Sequence, residues 1–110
     1  MKTKHSYSRY SSDAIYLLGK LIRAERKQKK ITTIELAERA GIFRSLLQRI
    51  EKGDPKCSIG AVFEAATIVG IQLFNEGDNS LHKHIYRVEK QLTLLPQSIR
   101  HTKTELIDDF

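Results

Sequence analysis

Apolar residues recur at helical spacing along most of the chain. Ile15, Leu18 and Ile22, flanked by Leu17 and Leu21, mark a first stripe. The sequence then turns polar through Arg23, Arg26, Lys27, Lys29 and Lys30, cations that suit the negative end of a helix dipole. Ser11, Ser12 and Asp13 stand just before the stripe as N-cap candidates. The pattern predicts a first helix starting there, behind a flexible basic arm over residues 1–10.

A second stripe, Leu36, Ala40, Ile42, Leu47 and Ile50, is broken by Gly41. Thr32, with Glu35 three positions on, is a capping box and predicts a helix over 33–40. Gly41 takes a left-handed turn at least cost, and Ala37, four residues earlier, is small enough for two helices to approach closely. A third helix follows to about Glu51 and is ended by Gly53-Asp54-Pro55. Phe43 stands where a serine or threonine cap belongs, a loss of about 1 kcal/mol unless it gains burial or a DNA contact. Two short helices meeting at a tight turn are the pattern of a helix-turn-helix, whose second helix lies in the major groove of DNA.

Ser58 caps a fourth helix over 59–69, with Val62, Phe63, Ala66 and Val69 on one face and Gly70 as its stop. Ile71, Leu73 and Phe74 form a short apolar element that closes the core. Residues 75–80 have the composition of a linker. Leu81, Ile85, Val88, Leu92 and Leu95 then give a last helix a two-heptad seam, which Pro96 ends. That seam either packs back on its own domain or joins two copies of the chain. Residues 97–110 lack periodicity. The expected organisation is an arm over 1–10, a DNA-binding domain over 11–75, a C-terminal helix over 80–96 and a flexible tail over 97–110. The pattern holds no internal repeat and predicts no strand.

At 110 residues and 40% hydrophobic, the chain suits one domain with a modest core and is not disordered overall. The net charge of +6 is unevenly spread: residues 1–30 carry nine basic and two acidic groups, residues 61–110 five and seven. A basic front and a mildly acidic back fit a polyanion partner at one end only. Cys57 is the one cysteine, which rules out an intrachain disulfide. No apolar run approaches the ~18–20 residues of a membrane span, and the first residues lack the apolar stretch of a secretory signal. The expectation is a cytoplasmic protein, with no membrane partner, associated with the nucleoid when bound to DNA.

Candidate chemistry narrows this further. The sequence shows no metal cluster, no nucleophile–base pair and no phosphate-binding glycine loop. His82 and His84 are two apart and cannot share a helix face, and His5 and His101 add no second pair of ligands. The expectation is no enzyme activity and no cofactor or metal, with Cys57 a small packed side chain. On the third helix, Arg44, Ser45, Gln48 and Arg49 project from the polar face and can address adjacent bases. Arginine bonds guanine bidentately and glutamine does so with adenine. Lys29 and Lys30 either meet phosphates or keep the domain soluble.

The run Ile31-Thr32-Thr33-Ile34-Glu35-Leu36-Ala37-Glu38-Arg39-Ala40-Gly41-Ile42, with Arg44-Ser45 and Arg49-Ile50-Glu51-Lys52-Gly53-Asp54, resembles the xenobiotic-response-element (Cro/C1-type) family of repressors. Leu18-Gly19, Ile22-Arg23 and Arg26 match its first helix, and the resemblance covers about residues 14–74. It implies an all-α fold: a five-helix, lambda-repressor-like domain, here with an added C-terminal helix and tail. It further implies a symmetric homodimer on an inverted-repeat operator in double-stranded DNA, and an ion pair between Arg26 and Glu51. Two departures stand out. Thr33 replaces a frequent glutamine, leaving a hydroxyl able to contact a phosphate. Leu46 replaces a frequent serine or threonine, where packing on a thymine methyl would substitute.

Asp54-Pro55, Ser58-Ile59-Gly60, Leu94-Leu95-Pro96, Ile99-Arg100 and Asp108-Asp109-Phe110 are similar to HipB-type regulators. This second resemblance implies a repressor of its own bacterial toxin–antitoxin operon, partnered with a HipA-type kinase toxin or its split subunits. The alternatives are a subunit whose main task is to bind that kinase, and a general phage-type repressor. In the tail, Ile107 and Phe110 beside Asp108 and Asp109 suggest an anchor for a protein partner, against a frayed terminus without a role.

Overall fold

The computed structural model describes residues 6–74 and 78–99. Among them are five helices and no strand: α1 Arg9–Gln28, α2 Thr33–Ala40, α3 Arg44–Glu51, α4 Ile59–Ile68 and α5 Asp78–Thr93. The chain divides into two units, one ending at Leu73 and one beginning at Phe74.

In the first unit, α2 packs on both α3 and α4, and α1 packs on α3. The buried set is Ile22 from α1, Leu36 and Ala37 from α2, Leu47 and Ile50 from α3, and Ala65, Ala66 and Val69 from α4 and its end. Three of the eight are alanines. Ala37, Ala65 and Ala66 offer no bulk beyond Cβ, so α2 and α4 can seat closely and short helices still enclose a core. The core also fixes which residue of α4 faces inward. Ala65 is fully buried while Phe63 remains 36% exposed, which corrects the assignment of Phe63 to the inner face.

The helix starts follow from side-chain caps. Thr32 accepts the Glu35 amide at 3.0 Å while Glu35 accepts the Thr32 amide at 2.9 Å, a complete capping box. Ser58 caps α4 by accepting the Ala61 amide. At α1 the structure corrects the sequence. The cap is Ser8, accepting the Ser11 amide at 3.2 Å, so Ser11 to Asp13 lie inside the helix and Arg9 and Tyr10 belong to α1 rather than to an arm. Several serines there meet the local cap requirement, and the apolar stripe does not reach back far enough to choose among them.

The helix ends share one device. Ile31, Ile42, Asp54 and Ile71 each donate an amide to the carbonyl five residues back, closing α1, α2, α3 and α4 in turn. The residue before each donor is left-handed: Lys30 (φ 58°), Gly41 (φ 70°), Gly53 and Gly70. Lys30 alone meets this demand without being a glycine, a conformation that costs an L-residue about 1–2 kcal/mol. Beyond α4, Ile71 and Leu73 pack on the core in a turn rather than a helix, and Phe74 is 61% exposed instead of closing the core.

The second unit is described by α5. The helix begins at Asp78, two residues before the expected 80, and stops at Thr93, short of the expected 96. Leu94 and Leu95 make only three-residue bonds back to Gln91 and Leu92. Pro96 explains the early stop, because a residue before proline is pushed out of the helical region. Leu81, Ile85 and Val88 keep roughly two fifths to a half of their surface exposed, and Leu92 more.

Candidate nucleic-acid interface

The buried side of α3 is fixed by Leu47, Ile50 and Glu51, and this determines what the other side presents. Arg44, Ser45, Gln48 and Arg49 are all exposed. At 100° per residue they span an arc of about 140°, in the angular order Arg44, Gln48, Ser45, Arg49. Lys52, the C-cap, falls between Gln48 and Ser45, so the exposed face is one continuous strip of five polar side chains. Sequence reasoning passed over Lys52 although it lies four residues after Gln48. It stands past the last helical residue, where the apolar pattern has already ended.

Two features hold this strip in place. Gly41 closes α2 in a left-handed conformation, and a Cβ there would meet nothing within 4 Å, so the demand is on backbone angle alone. Gly19 on α1 is the opposite case. Its φ is ordinary, but a Cβ would run into the Ile50 carbonyl oxygen and lie 3.1 Å from the Glu51 carbonyl oxygen. The backbones of α1 and the end of α3 therefore touch at Gly19.

Arg26 and Glu51 lie behind the strip and are, among the described residues, the two buried charged ones. Arg26 Nε and Nη2 donate to the two Glu51 carboxylate oxygens at 2.7 and 3.0 Å, and Nη1 donates to the Ile31 carbonyl at 3.0 Å. The pair ties the end of α1, the α1–α2 connection and the end of α3 together. Hydrogen bonding to Glu51 holds the Arg26 guanidinium above its ordinary pKa despite the opposing cost of burial, so its charge is permanent.

Beside this pair a cleft of about 270 Å³ is lined by Arg23, Arg26, Thr33, Gln48, Glu51 and Lys52. Thr33, half-buried at the first residue of α2, shares the cleft with Gln48 of the strip. Arg23 is exposed on α1 and was legible only as one of several cations. The cleft's rim thus offers two cations and a hydroxyl at a helix N-terminus, the groups that receive a phosphate.

The remaining candidates are placed as follows. Phe43 is 83% exposed at the tip of the turn, and its side chain makes no cap bond to α3. Arg49 Nε donates to Asp54 Oδ2 at 2.8 Å. Lys29 pairs with Glu25 at 2.9 Å and its ammonium lies beside Gly70, at the end of α4. Lys30 is exposed in its left-handed turn. Cys57 is half-buried against the core, and burial pushes its thiol above the ordinary value, which disfavours the thiolate. Ile107, Asp108, Asp109 and Phe110 lie outside the described residues. Among those described, no group of three or more His, Cys, Asp or Glu is placed to hold a metal ion, and no helix is long and apolar enough to cross a membrane.

A capped helix, a left-handed glycine turn and a second helix with one face locked in the core and the other polar make up a helix-turn-helix, in a fold that is all-α among the described residues. The comparison with known families agrees: residues 22–73 match the family model described as helix-turn-helix. Over 56 residues the chain is 38% identical to the immunity repressor protein of Bacillus phage phi105, a stretch that is 51% of this chain and 39% of that relative. The chain therefore spans well under half of that relative's length.

Proposed function

We propose that the chain is a sequence-specific DNA-binding transcriptional repressor that reads base edges with α3 in the major groove. The observation that carries this reading is the strip Arg44, Ser45, Gln48, Arg49 and Lys52, exposed on a helix whose opposite face is immobilised by Leu47, Ile50 and the Arg26–Glu51 pair. Arg44 and Arg49 suit guanine and Gln48 suits adenine. Thr33, Arg23, Lys30 and the exposed Phe43 flank the strip as contacts to phosphate and sugar, which position the helix without reading sequence. Lys29 would have to leave Glu25 to join them. The name of the phage relative supports repression as the use of this binding.

One strip of this size covers only a few base pairs, so the reading includes a twofold homodimer on half-sites about 34 Å apart. The exposed Leu81, Ile85, Val88 and Leu92 of α5 supply an apolar seam for pairing with a second copy. A finer reading, a HipB-type component of a toxin–antitoxin pair with a HipA-type kinase, rests on the sequence resemblance. Co-purification of the two chains at high salt would support it.

The test is selection from a library of random 20-base-pair duplexes, followed by binding measured by fluorescence anisotropy. The selected duplex should bind at least about 1,000-fold tighter than a scrambled one at the same salt. Arg44→Ala or Arg49→Ala should cost about 1–3 kcal/mol on the selected duplex and relax base preference. Failure to enrich any motif would remove the proposal.

A further inference from the structure

We propose that Asp54 is a positioning residue for DNA reading: it holds the Arg49 side chain so that the outer edge of its guanidinium meets one guanine of the half-site. The inference rests on the reading of α3 as the recognition helix. A guanidinium has two edges able to make paired hydrogen bonds, one that includes Nε and one formed by the two terminal nitrogens. Asp54 Oδ2 takes Nε at 2.8 Å. The edge left for O6 and N7 of guanine is the terminal pair, on a side chain that is half exposed.

Asp54 is itself held. Its other carboxylate oxygen, Oδ1, accepts the Lys56 amide at 2.9 Å, an Asx turn around Pro55, whose ring restricts the backbone between them. Its own amide donates to the Arg49 carbonyl at 3.1 Å, in the bond that ends α3. Main chain and side chain of Asp54 are thus both tied to Arg49, so the pair moves with the helix rather than with the loop. The Lys56 amide and the Arg49 guanidinium together keep the carboxyl below the usual carboxylate range, so it is charged at neutral pH.

Two roles compete for such an aspartate. A carboxylate near DNA repels phosphates and could mask the arginine. The geometry favours positioning. Oδ1 and Oδ2 each already have a donor, and Nε, the one Arg49 nitrogen bound to Asp54, is the one a bidentate guanine contact through the terminal pair does not need. A long side chain fixed before binding also loses less rotamer freedom on binding.

The two roles predict opposite results. Duplexes would be selected from a random 20-base-pair library by the wild type, Asp54→Ala, Asp54→Asn, Arg49→Ala and the double variant, with thermal melting of each protein as a check on folding. Positioning predicts that Asp54→Ala loses about tenfold of the preference for guanine at one position of the half-site and leaves the other positions unchanged. Asp54→Asn, which keeps the turn bond to Lys56 with its one oxygen but turns a donor NH2 toward Arg49 Nε, should lose about as much and serves if the alanine variant melts early. Arg49→Ala should erase preference at that same position, and adding Asp54→Ala to it should change nothing further. Tighter binding of Asp54→Ala to all duplexes alike would assign masking instead and overturn the inference. So would a guanine preference untouched by Asp54→Ala, or one that survives Arg49→Ala while the wild type still enriches a motif. If the wild type enriches no motif, the reading of α3 fails and the inference falls with it.

Discussion

Arg26 and Glu51 show how a small core tolerates charge. Each is under a tenth exposed, and both carboxylate oxygens and all three guanidinium nitrogens have partners. A buried pair of this kind is costly to break on one side and cheap to replace as a whole. Arg26→Met should therefore destabilise the domain by about 3–5 kcal/mol, because it leaves the Glu51 carboxylate buried and unpaired. Arg26→Met combined with Glu51→Leu should recover most of that loss, measured by urea denaturation at neutral pH. Lys30 carries the opposite expectation. Its left-handed backbone is a standing cost, so Lys30→Gly should stabilise by about 1 kcal/mol and raise the melting temperature by a few degrees. Glu35 links stability to pH. The Thr32 amide holds its carboxyl below the ordinary value near 4.5. A depressed carboxylate stabilises fully above that ordinary value and loses its contribution as pH falls through its lower folded value. Glu35→Gln should accordingly lose less stability than the wild type on acidification from about pH 6 to about pH 3.

Among the elements, the contact of α1 with α3 is the least forgiving. Gly19→Ala would drive a methyl group into the carbonyls of Ile50 and Glu51, which belong to a helix end that cannot move without displacing the strip it carries. The expected loss is about 3 kcal/mol or more, accompanied by weaker DNA binding in whatever fraction remains folded. The value of Gly19 could not be read from the chain, since its φ is ordinary and nothing in the local pattern reveals what lies across from it. Other elements were legible because their signals are local. Thr32 with Glu35, Gly41 and Ser58 each specify a cap within a few residues, and α2 starts and ends, and α4 starts, where those residues say. The start of α1 was not legible, because Ser8 competes with three equivalent caps downstream. The inner face of α4 was also misread at Phe63, since periodicity alone cannot tell that the space opposite is sized for Ala65. The strip on α3 was legible as spacing. The hold of Asp54 on Arg49 was not, because it depends on a turn beyond the helix.

For the whole molecule, charge and fold point to the same end. Residues 1–30 hold a net +7 and residues 61–110 a net −2, and the first unit contains the helix-turn-helix. Binding should be strongly salt-dependent, with the logarithm of affinity falling linearly against the logarithm of salt, while discrimination between duplexes changes much less. If α3 lies in the major groove and reads guanine there, bound protein covers guanine N7. Dimethyl sulfate tests this most directly, since it methylates guanine at N7 in the major groove and adenine at N3 in the minor groove. On the selected duplex, bound protein should protect guanine N7 at positions in two patches about ten base pairs apart, and Arg49→Ala should expose one guanine in each patch. Protection confined to adenine N3, or guanine protection unchanged by both Arg44→Ala and Arg49→Ala, would contradict the account.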